Sequence, residues 1–112
     1  MAECVAYAEV YDPRTHRLQN PTLYTAWDLY HLSKADIVLA YMEKGEHPAY
    51  GLVLEVGVAR GLRKLIVLVD ERTPEDRSGA FARHFAIVRE SADIVLEDMR
   101  DALTFLASFK TP

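Results

Sequence analysis

Glu55 is the residue of this chain whose type and surroundings best suit chemistry. It lies between Gly51 and Gly57, in a segment that we expect to form a helix from near Tyr50 or Gly51 to Gly61. This places Glu55 in about the first helical turn, where free backbone N–H groups and the helix dipole favour an ionised carboxylate. Such a carboxylate is suited to act as an anionic nucleophile. The plainer alternative is a solvated acid at a helix start.

Two apolar runs flank this helix and position it. Residues 37–41 and 65–69 are almost continuously hydrophobic, as strands buried on both faces of a parallel sheet are. The order strand, helix, strand predicts a right-handed crossover that makes the two strands parallel. The loop over residues 43–49 then joins the carboxyl end of the first strand to the helix, which is where α/β sheets bind ligands. Gly61 is expected to close the helix in the left-handed conformation.

The segment before the first apolar run predicts a strand followed by a helix. Residues 3–11 contain Val and Tyr residues typical of a strand. Asn20 can cap free N–H groups and Pro21 suits the first helical position, so a helix should begin there and run to about Lys34. Asp28 lies beside the apolar stripe of this helix, not within it.

The segment after the second apolar run repeats this alternation. It is predicted to comprise a charged loop at 71–78, one helix marked by Phe81, Phe85 and Val88 and ending before Ser91, a strand at 93–96, and an amphipathic helix at 99–109. The whole chain, residues 1–112, is therefore predicted to be a single α/β domain. We expect a doubly wound fold of the flavodoxin or Rossmann type, with a mostly parallel sheet of about four strands flanked by helices.

Composition excludes several function classes. The formal net charge of −4 argues against a nucleic-acid partner, because such proteins normally present a basic face. No apolar run approaches the roughly 20 residues that span a bilayer, so no membrane is expected. Residues 1–13 lack the pattern of a signal peptide, which predicts a cytoplasmic protein. Cys4 has no cysteine to pair with, and no cysteine or histidine cluster has zinc-ligand spacing, so no metal site is expected.

Three sequence blocks occur together in one order. Asp28 is followed, after seven residues, by Asp36 and the run Ile-Val-Leu-Ala; then residues 51–59 give the pattern G-x3-E-x-G-x-A; then a glycine and Lys64 open the second apolar run. In this order, closely over residues 24–70 and loosely over much of the rest, the chain resembles the nucleoside 2-deoxyribosyltransferase family and its hydrolase relatives, the deoxynucleoside 5′-monophosphate N-glycosidases.

The resemblance implies a role for each matching residue. Glu55 would attack the anomeric carbon of a 2′-deoxyribonucleoside, displace the base and hold the sugar as an ester. Asp28 would position the sugar and base and assist proton transfer, and Gly51 and Gly57 would keep the backbone close to the sugar. The resemblance further implies an enzyme that passes the sugar to another base, with a nucleoside or nucleotide as small-molecule substrate, no cofactor, and a homo-oligomer, dimer or higher, that shares its sites.

Three further side chains complete the predicted substrate-binding set. Tyr41 and Tyr50 lie near the carboxyl end of the first apolar run and the loop after it, where a ring can stack on a base. His47 lies within that loop and is a candidate ligand contact. Trp27 is expected to be a core residue.

The chain departs from the family pattern in three places. The family opens with a strand and a glycine-bearing loop, and nothing like them precedes Glu3, so the chain is expected to lack that unit. Its loss would leave a gap between the strand at 3–10 and the strand at 36–42. Three alternatives are open: the sequence is shortened at its N-terminus, another subunit fills the gap, or the N-terminal strand occupies it. Ala49 stands where transferases often have an acid. His84 is the nearest candidate for the polar residue that a neighbouring subunit contributes in the family.

Several functions remain open from the sequence. The transferase must protect its intermediate from water, whereas an N-glycosidase must admit water, and the sequence does not separate the two. A non-catalytic nucleotide-binding module that keeps the fold is a further alternative. A receiver-like regulatory domain is disfavoured, because the strand at 36–42 ends in Tyr-Met and lacks the phosphorylatable aspartate of such domains.

Overall fold

Three of the apolar runs form a parallel sheet. The computed structural model describes residues 11–12, 15–45 and 50–109. Its strands are β1 (Ile37–Met42), β2 (Leu65–Asp70) and β3 (Ile94–Leu96), paired in the order β1-β2-β3 with both pairs parallel. The predicted α/β class with a parallel sheet flanked by helices is confirmed, with three strands seen. The strand predicted at 3–11 lies outside the described residues except for Tyr11, which is not in a strand.

Helices connect and cover these strands. They are α1 (Pro21–Lys34), α2 (Tyr50–Gly61), α3 (Ala80–His84), α4 (Ala86–Ser91) and α5 (Met99–Ala107), with one 3-10 turn at Thr73–Glu75. The predicted bounds of α1, β1, α2 and β2 are confirmed to within a residue. Residues on these four elements are also the ones that carry the family resemblance.

The central strand β2 divides the core into two layers. Its side chains from Ile66 to Val69 are fully buried, and they alternate between the two faces of the sheet. One face packs against α1, α2 and α4, and the other packs against α5. The first layer comprises Leu32, Ala40, Met42, Val56, Ala59, Ile66, Leu68, Phe85 and Val88; the second is built on Val67, Val69 and Ala102 with Leu39, Tyr41 and Phe105 packed against them.

The start of α1 follows the predicted capping chemistry. The Asn20 side-chain oxygen accepts hydrogen bonds from the N–H groups of Thr22 at 2.9 Å and Leu23 at 3.3 Å. Pro21 occupies the first helical position, where its missing N–H costs nothing. The other end of α1 is fixed by Lys64, whose Nζ donates to the Ser33 carbonyl at 2.9 Å. The lysine of the family-like pattern therefore has a structural role here.

The prediction that Gly61 closes α2 in the left-handed conformation is wrong. Gly61 is the last helical residue, and the left-handed position falls on Arg63, with a φ of 60°. The Lys64 N–H donates to the Ala59 carbonyl at 2.9 Å and the Arg63 N–H donates to the Arg60 carbonyl at 3.1 Å, which is the Schellman pattern. The helix thus ends at Gly61 as predicted, but the left-handed residue lies two positions later and is not glycine.

The single helix predicted from Phe81 to Val88 is two helices, α3 and α4, with a break at Phe85. The Ala82 carbonyl, which an unbroken helix would use for the Ala86 N–H, accepts from Arg89 Nη2 at 2.6 Å. Because the guanidinium satisfies this carbonyl, the helix can break without burying an unpaired oxygen.

Asp70 anchors the charged loop that follows β2. This carboxylate is 1% exposed, and its Oδ1 accepts from the N–H groups of Arg72 and Thr73, each at 2.9 Å. Its Oδ2 accepts from the Thr73 hydroxyl and lies 3.8 Å from Arg89 Nη1. Both oxygens of the buried carboxylate are therefore satisfied, and the network fixes the loop to α4.

Candidate active site

Glu55 lies in the second turn of α2, one turn later than predicted, since the helix begins at Tyr50. The next residue, Val56, is buried in the first core layer, so Glu55 lies about 100° around the helix from a core position. Helix α1 packs on α2, and its Asp28 acts electrostatically on Glu55. The helix dipole falls off beyond the first turn, so it contributes little to the charge of this carboxylate. Glu55 is partly buried in this position.

Burial and a second carboxylate control the charge of Glu55. Desolvation raises the pKa of the Glu55 carboxyl above its ordinary value, and the negative charge of Asp28 raises that pKa further. The direction is opposite to the one that a helix N-terminus would give. A half-buried carboxyl whose proton affinity is raised by a neighbouring acid is characteristic of a site that performs acid, base or nucleophilic chemistry.

Asp28 supplies that second carboxylate from the middle of α1. Its side chain is 24% exposed, yet its Oδ1 is buried and receives no hydrogen bond from any described residue. His16 Nε2 lies 3.5 Å from this oxygen. Since α1 packs on α2, the structure brings together Asp28 and Glu55, the two residues predicted to be catalytic.

His16 is absent from the predicted set. It lies in the polar segment before α1. Its ring meets Trp27 edge-on, with ring centroids 4.8 Å apart. Trp27 in turn stacks on His31, with ring centroids 3.9 Å apart. It was expected to be a core residue, but it is only partly buried and belongs to neither core layer of the described residues. His16 lies in an irregular segment, twelve residues before Asp28. No helical or strand periodicity of the sequence therefore predicts that their side chains approach each other.

Tyr41 lies on the opposite face of the sheet from Glu55. Its ring packs in the second core layer, against α5, and its hydroxyl donates to Glu71 Oε1 at 2.9 Å. Burial, then the hydrogen bond and negative charge of Glu71, and then the charge of Glu43, raise the pKa of Tyr41 to about 12. The structure therefore does not bring Tyr41 to the Asp28 and Glu55 carboxylates, and gives it a structural partner instead.

Tyr50 lies on a different flank of α2 from Glu55, about 140° around the helix at 3.6 residues per turn. It is 78% exposed and lines a groove of about 410 Å³ between α2 and the α3–α4 segment. Val53, Arg72, Phe81 and His84 are among the other lining residues. Tyr50 and His84 thus lie together, but apart from the carboxylate pair.

The two predicted glycines differ in their relation to Glu55. Gly51 precedes it by four residues, so it lies on the same face of α2 one turn earlier. Gly57 follows it by two residues and lies about 160° away, on the exposed side of the helix. An added Cβ would meet no atom within 4 Å at either position. Gly51 therefore borders open space beside Glu55, whereas Gly57 does not. His47 lies outside the described residues.

The crevice at the carboxyl ends of the strands has a different lining. This hollow of about 350 Å³ is bordered by Lys44, Glu71, Pro74, Glu97 and Asp98, none of which was predicted as a site residue. In the described ranges, no three His, Cys, Asp or Glu side chains are grouped so that they could hold a metal ion.

The comparisons with known proteins add no family assignment. No model of a known protein family matches the chain, and no curated protein matches it significantly. Within the part of the chain that the structure describes, no helix is both long enough and apolar enough to cross a membrane. The resemblance drawn from the sequence blocks therefore stays a prediction.

Proposed function

We propose that this chain is a nucleoside 2-deoxyribosyltransferase-like enzyme that cleaves the N-glycosidic bond of deoxynucleosides through Glu55. The observation that carries the proposal is the juxtaposition of Glu55 and Asp28 between α1 and α2, with the pKa of Glu55 raised by burial and by Asp28. The same two positions carry the family-like pattern in the sequence. Two carboxyl groups in unlike environments are the recurring machinery of glycosidic bond cleavage.

The chemistry divides into two displacements at the anomeric carbon. In the first, a Glu55 oxygen forms a bond to C1′ as the C1′–N bond breaks, and the departing base takes the electron pair and a proton. Asp28 is placed to assist the transfer of that proton to the base. In the second, a nitrogen of an incoming base attacks C1′, loses a proton and releases the Glu55 carboxylate. Both steps pass through an oxocarbenium-like state that the carboxylate stabilises.

Water access decides between transfer and hydrolysis. Among the described residues, Gly51 leaves open space beside Glu55, and an ester there would meet solvent unless another part of the protein covers it. A transferase needs that space closed. Exposed apolar side chains on the two site helices support closure by a second copy of the chain, in line with the proposed homo-oligomer. They are Leu23, Tyr24, Tyr30, Tyr50 and Leu54. Without such closure the same carboxylates favour the N-glycosidase.

A base-exchange assay tests the proposal. The protein is incubated with 2′-deoxyinosine and adenine, and separately with 2′-deoxyadenosine 5′-monophosphate, and the products are separated by chromatography. We expect a new deoxynucleoside with the first substrate, and Glu55→Gln should lower its rate by at least about 10³-fold, because the nucleophile is lost. Mass spectrometry of the acid-quenched protein should find one deoxyribosyl group on the peptide that holds Glu55.

Glu90→Gln is the matched control, since Glu90 is an exposed acid on α4 outside the site, and it should retain the wild-type rate. Release of free sugar without exchange would assign the N-glycosidase. Nucleotide binding by calorimetry without base release would assign the non-catalytic module. Full activity in Glu55→Gln would rule out the covalent mechanism.

A further inference from the structure

His16 contacts the site from outside the two helices that form it. Its Nε2 lies 3.5 Å from Asp28 Oδ1, the oxygen that is buried and receives no hydrogen bond from the described residues. The His16 side chain is itself 12% exposed, so this approach is largely shielded from solvent. A distance of 3.5 Å is long for a hydrogen bond, but catalytic hydrogen bonds are often long before substrate binds and tighten in the complex.

The hydrogen bond at Nδ1, the other ring nitrogen, determines the tautomer of the neutral His16 ring. The backbone N–H of Leu18 donates to His16 Nδ1, with the two nitrogens 2.8 Å apart, so Nδ1 acts as an acceptor. In the neutral imidazole one nitrogen donates and the other accepts, so the proton resides on Nε2. The Nε2–H group is therefore the one that faces the Asp28 carboxylate.

The turn before α1 holds the ring in this orientation. The Thr15 hydroxyl and N–H both donate to the Asp12 carbonyl, at 2.8 and 3.0 Å. Arg17 has a φ of 57°, a left-handed conformation that is unfavourable for a residue with a Cβ. On its other side the imidazole meets the edge of Trp27. Strained backbone of this kind persists only where the surroundings enforce it.

We propose that His16 is a positioning residue for the reaction: it donates from Nε2 to Asp28 Oδ1 and holds that carboxyl group toward Glu55 and the substrate. The inference rests on the proposed function, which supplies the reaction. It assigns a role to a segment that the family-like pattern does not include. It also accounts for the buried Asp28 oxygen, which receives no hydrogen bond from the described residues and lies 3.5 Å from this nitrogen.

Two substitutions separate positioning from simple support of the turn. In His16→Asn the amide oxygen can replace Nδ1 and accept from Leu18, but the side chain is too short to reach Asp28. In His16→Gln the amide nitrogen can replace Nε2 and donate to Asp28. We expect His16→Asn to lower kcat by about 10- to 100-fold with KM nearly unchanged, because a misplaced catalytic group costs rate in that range. His16→Gln should restore most of the loss.

NMR spectroscopy tests the contact between His16 Nε2 and Asp28 independently of catalytic activity. Nitrogen-15 NMR of histidine-labelled full-length protein should show a protonated Nε2 and an unprotonated Nδ1 for His16 at neutral pH. Asp28→Asn should shift the Nε2 resonance and leave Nδ1 nearly unchanged. An Nε2 resonance that ignores Asp28→Asn, or a ring protonated on Nδ1, would overturn the inference.

The kinetic and NMR experiments distinguish a failure of the His16 role from a failure of the proposed function. Equal kcat values for His16→Asn and wild type, in a protein that exchanges bases, would overturn the positioning role and leave the function intact. If the wild type exchanges no base and releases none, the proposed function fails, and the NMR arm alone decides whether His16 holds Asp28.

Discussion

Asp70 and Asp28 are two carboxylates that this fold treats in opposite ways. Asp70, at the end of β2, is fully buried, and both of its oxygens are hydrogen-bonded by backbone N–H groups or a hydroxyl, with Arg89 nearby. Asp28, in the middle of α1, is less buried, yet one of its oxygens receives no hydrogen bond from any residue in the described part of the chain. Its neighbours are a histidine and another acid.

The difference separates a structural carboxylate from a candidate functional one. Buried polar groups in folded proteins are almost always hydrogen-bonded, and the exceptions often have a functional reason. Asp70 supplies acceptors to the loop that it organises, so its charge stabilises the fold. The negative charge of Asp28 raises the pKa of Glu55, so this pair does not stabilise the fold when Glu55 is ionised. Stability measurements should therefore rank the two residues in the reverse order of activity measurements.

The largest effect on stability is expected at Asp70. Asp70→Asn should lower the free energy of unfolding by about 2 to 4 kcal/mol, because it leaves Arg89 without its countercharge and turns one acceptor into a donor facing other donors. Asp28→Asn should change that free energy by less than about 0.5 kcal/mol, or raise it, since it relieves repulsion with Glu55. Urea unfolding followed by circular dichroism measures both.

The base-exchange rate should show the opposite order. Asp28→Asn should impair exchange strongly, whereas Asp70→Asn, assayed at a temperature where it stays folded, should retain most of the wild-type rate. Comparable losses of stability in both variants would mean that Asp28 is a structural acid like Asp70.

A smaller effect is expected from Glu55, and it depends on pH. The pKa of Glu55 is raised in the folded state, so between its unfolded and folded values the native protein binds more protons than the unfolded chain. The contribution of Glu55 to stability is therefore complete below its unfolded pKa and is lost as the pH rises through its folded pKa. Above its folded pKa the ionised side chain costs stability, and there Glu55→Gln should raise the melting temperature by about 1 to 3 °C.

Thermal unfolding of the wild type and Glu55→Gln between pH 4 and pH 8 checks the sign. The advantage of the variant should be largest at pH 7 to 8 and should shrink toward pH 4, where the wild-type carboxyl is protonated. Glu90→Gln serves again as the control and should show no such trend. A variant that loses stability at pH 7 would mean that Glu55 has a stabilising partner.

The elements of the fold that follow local chemistry were predictable from the sequence. The Asn20 cap, the two apolar runs of β1 and β2, and the bounds of α2 all depend on residues next to one another in the chain. The helix break at Phe85 was not predictable, because it depends on Arg89 reaching back to the Ala82 carbonyl. The left-handed Arg63 was also missed, since glycine is the usual signal for that conformation.

The candidate site shows the same limit. Glu55 and Asp28 could be nominated from spacing and resemblance, and their packing follows from α1 lying on α2. The sequence could not show which of the other predicted site residues lie near these two carboxylates and which lie elsewhere. Tyr41 faces the second core layer because strand alternation directs every second side chain of β1 there, and Tyr50 occupies a separate flank of α2. His16 is brought to Asp28 by an irregular turn, for which no periodic signal exists.

The smallest effects are expected from alanine substitutions at two glycines of α2, one on the face of Glu55 and one on another face. Gly51 and Gly61 are both helical, both exposed and both open, so a methyl group at either fits without a clash. Alanine should leave the free energy of unfolding unchanged or raise it by up to about 1 kcal/mol at each position, because glycine is a poor helix former. Only Gly51 lies on the face of Glu55, one turn before it.

Gly51→Ala should therefore lower kcat/KM for base exchange by about ten-fold, an amount typical of a methyl group that crowds a bound substrate, while Gly61→Ala should leave it unchanged. The pair isolates the open space beside Glu55 from helix stability, since both variants gain the same methyl group on the same helix. If both variants keep full activity, the sugar does not bind over the first turn of α2. If both variants lose activity equally, the loss comes from a change in the helix as a whole. Gly51 would then have no closer relation to the site than Gly61.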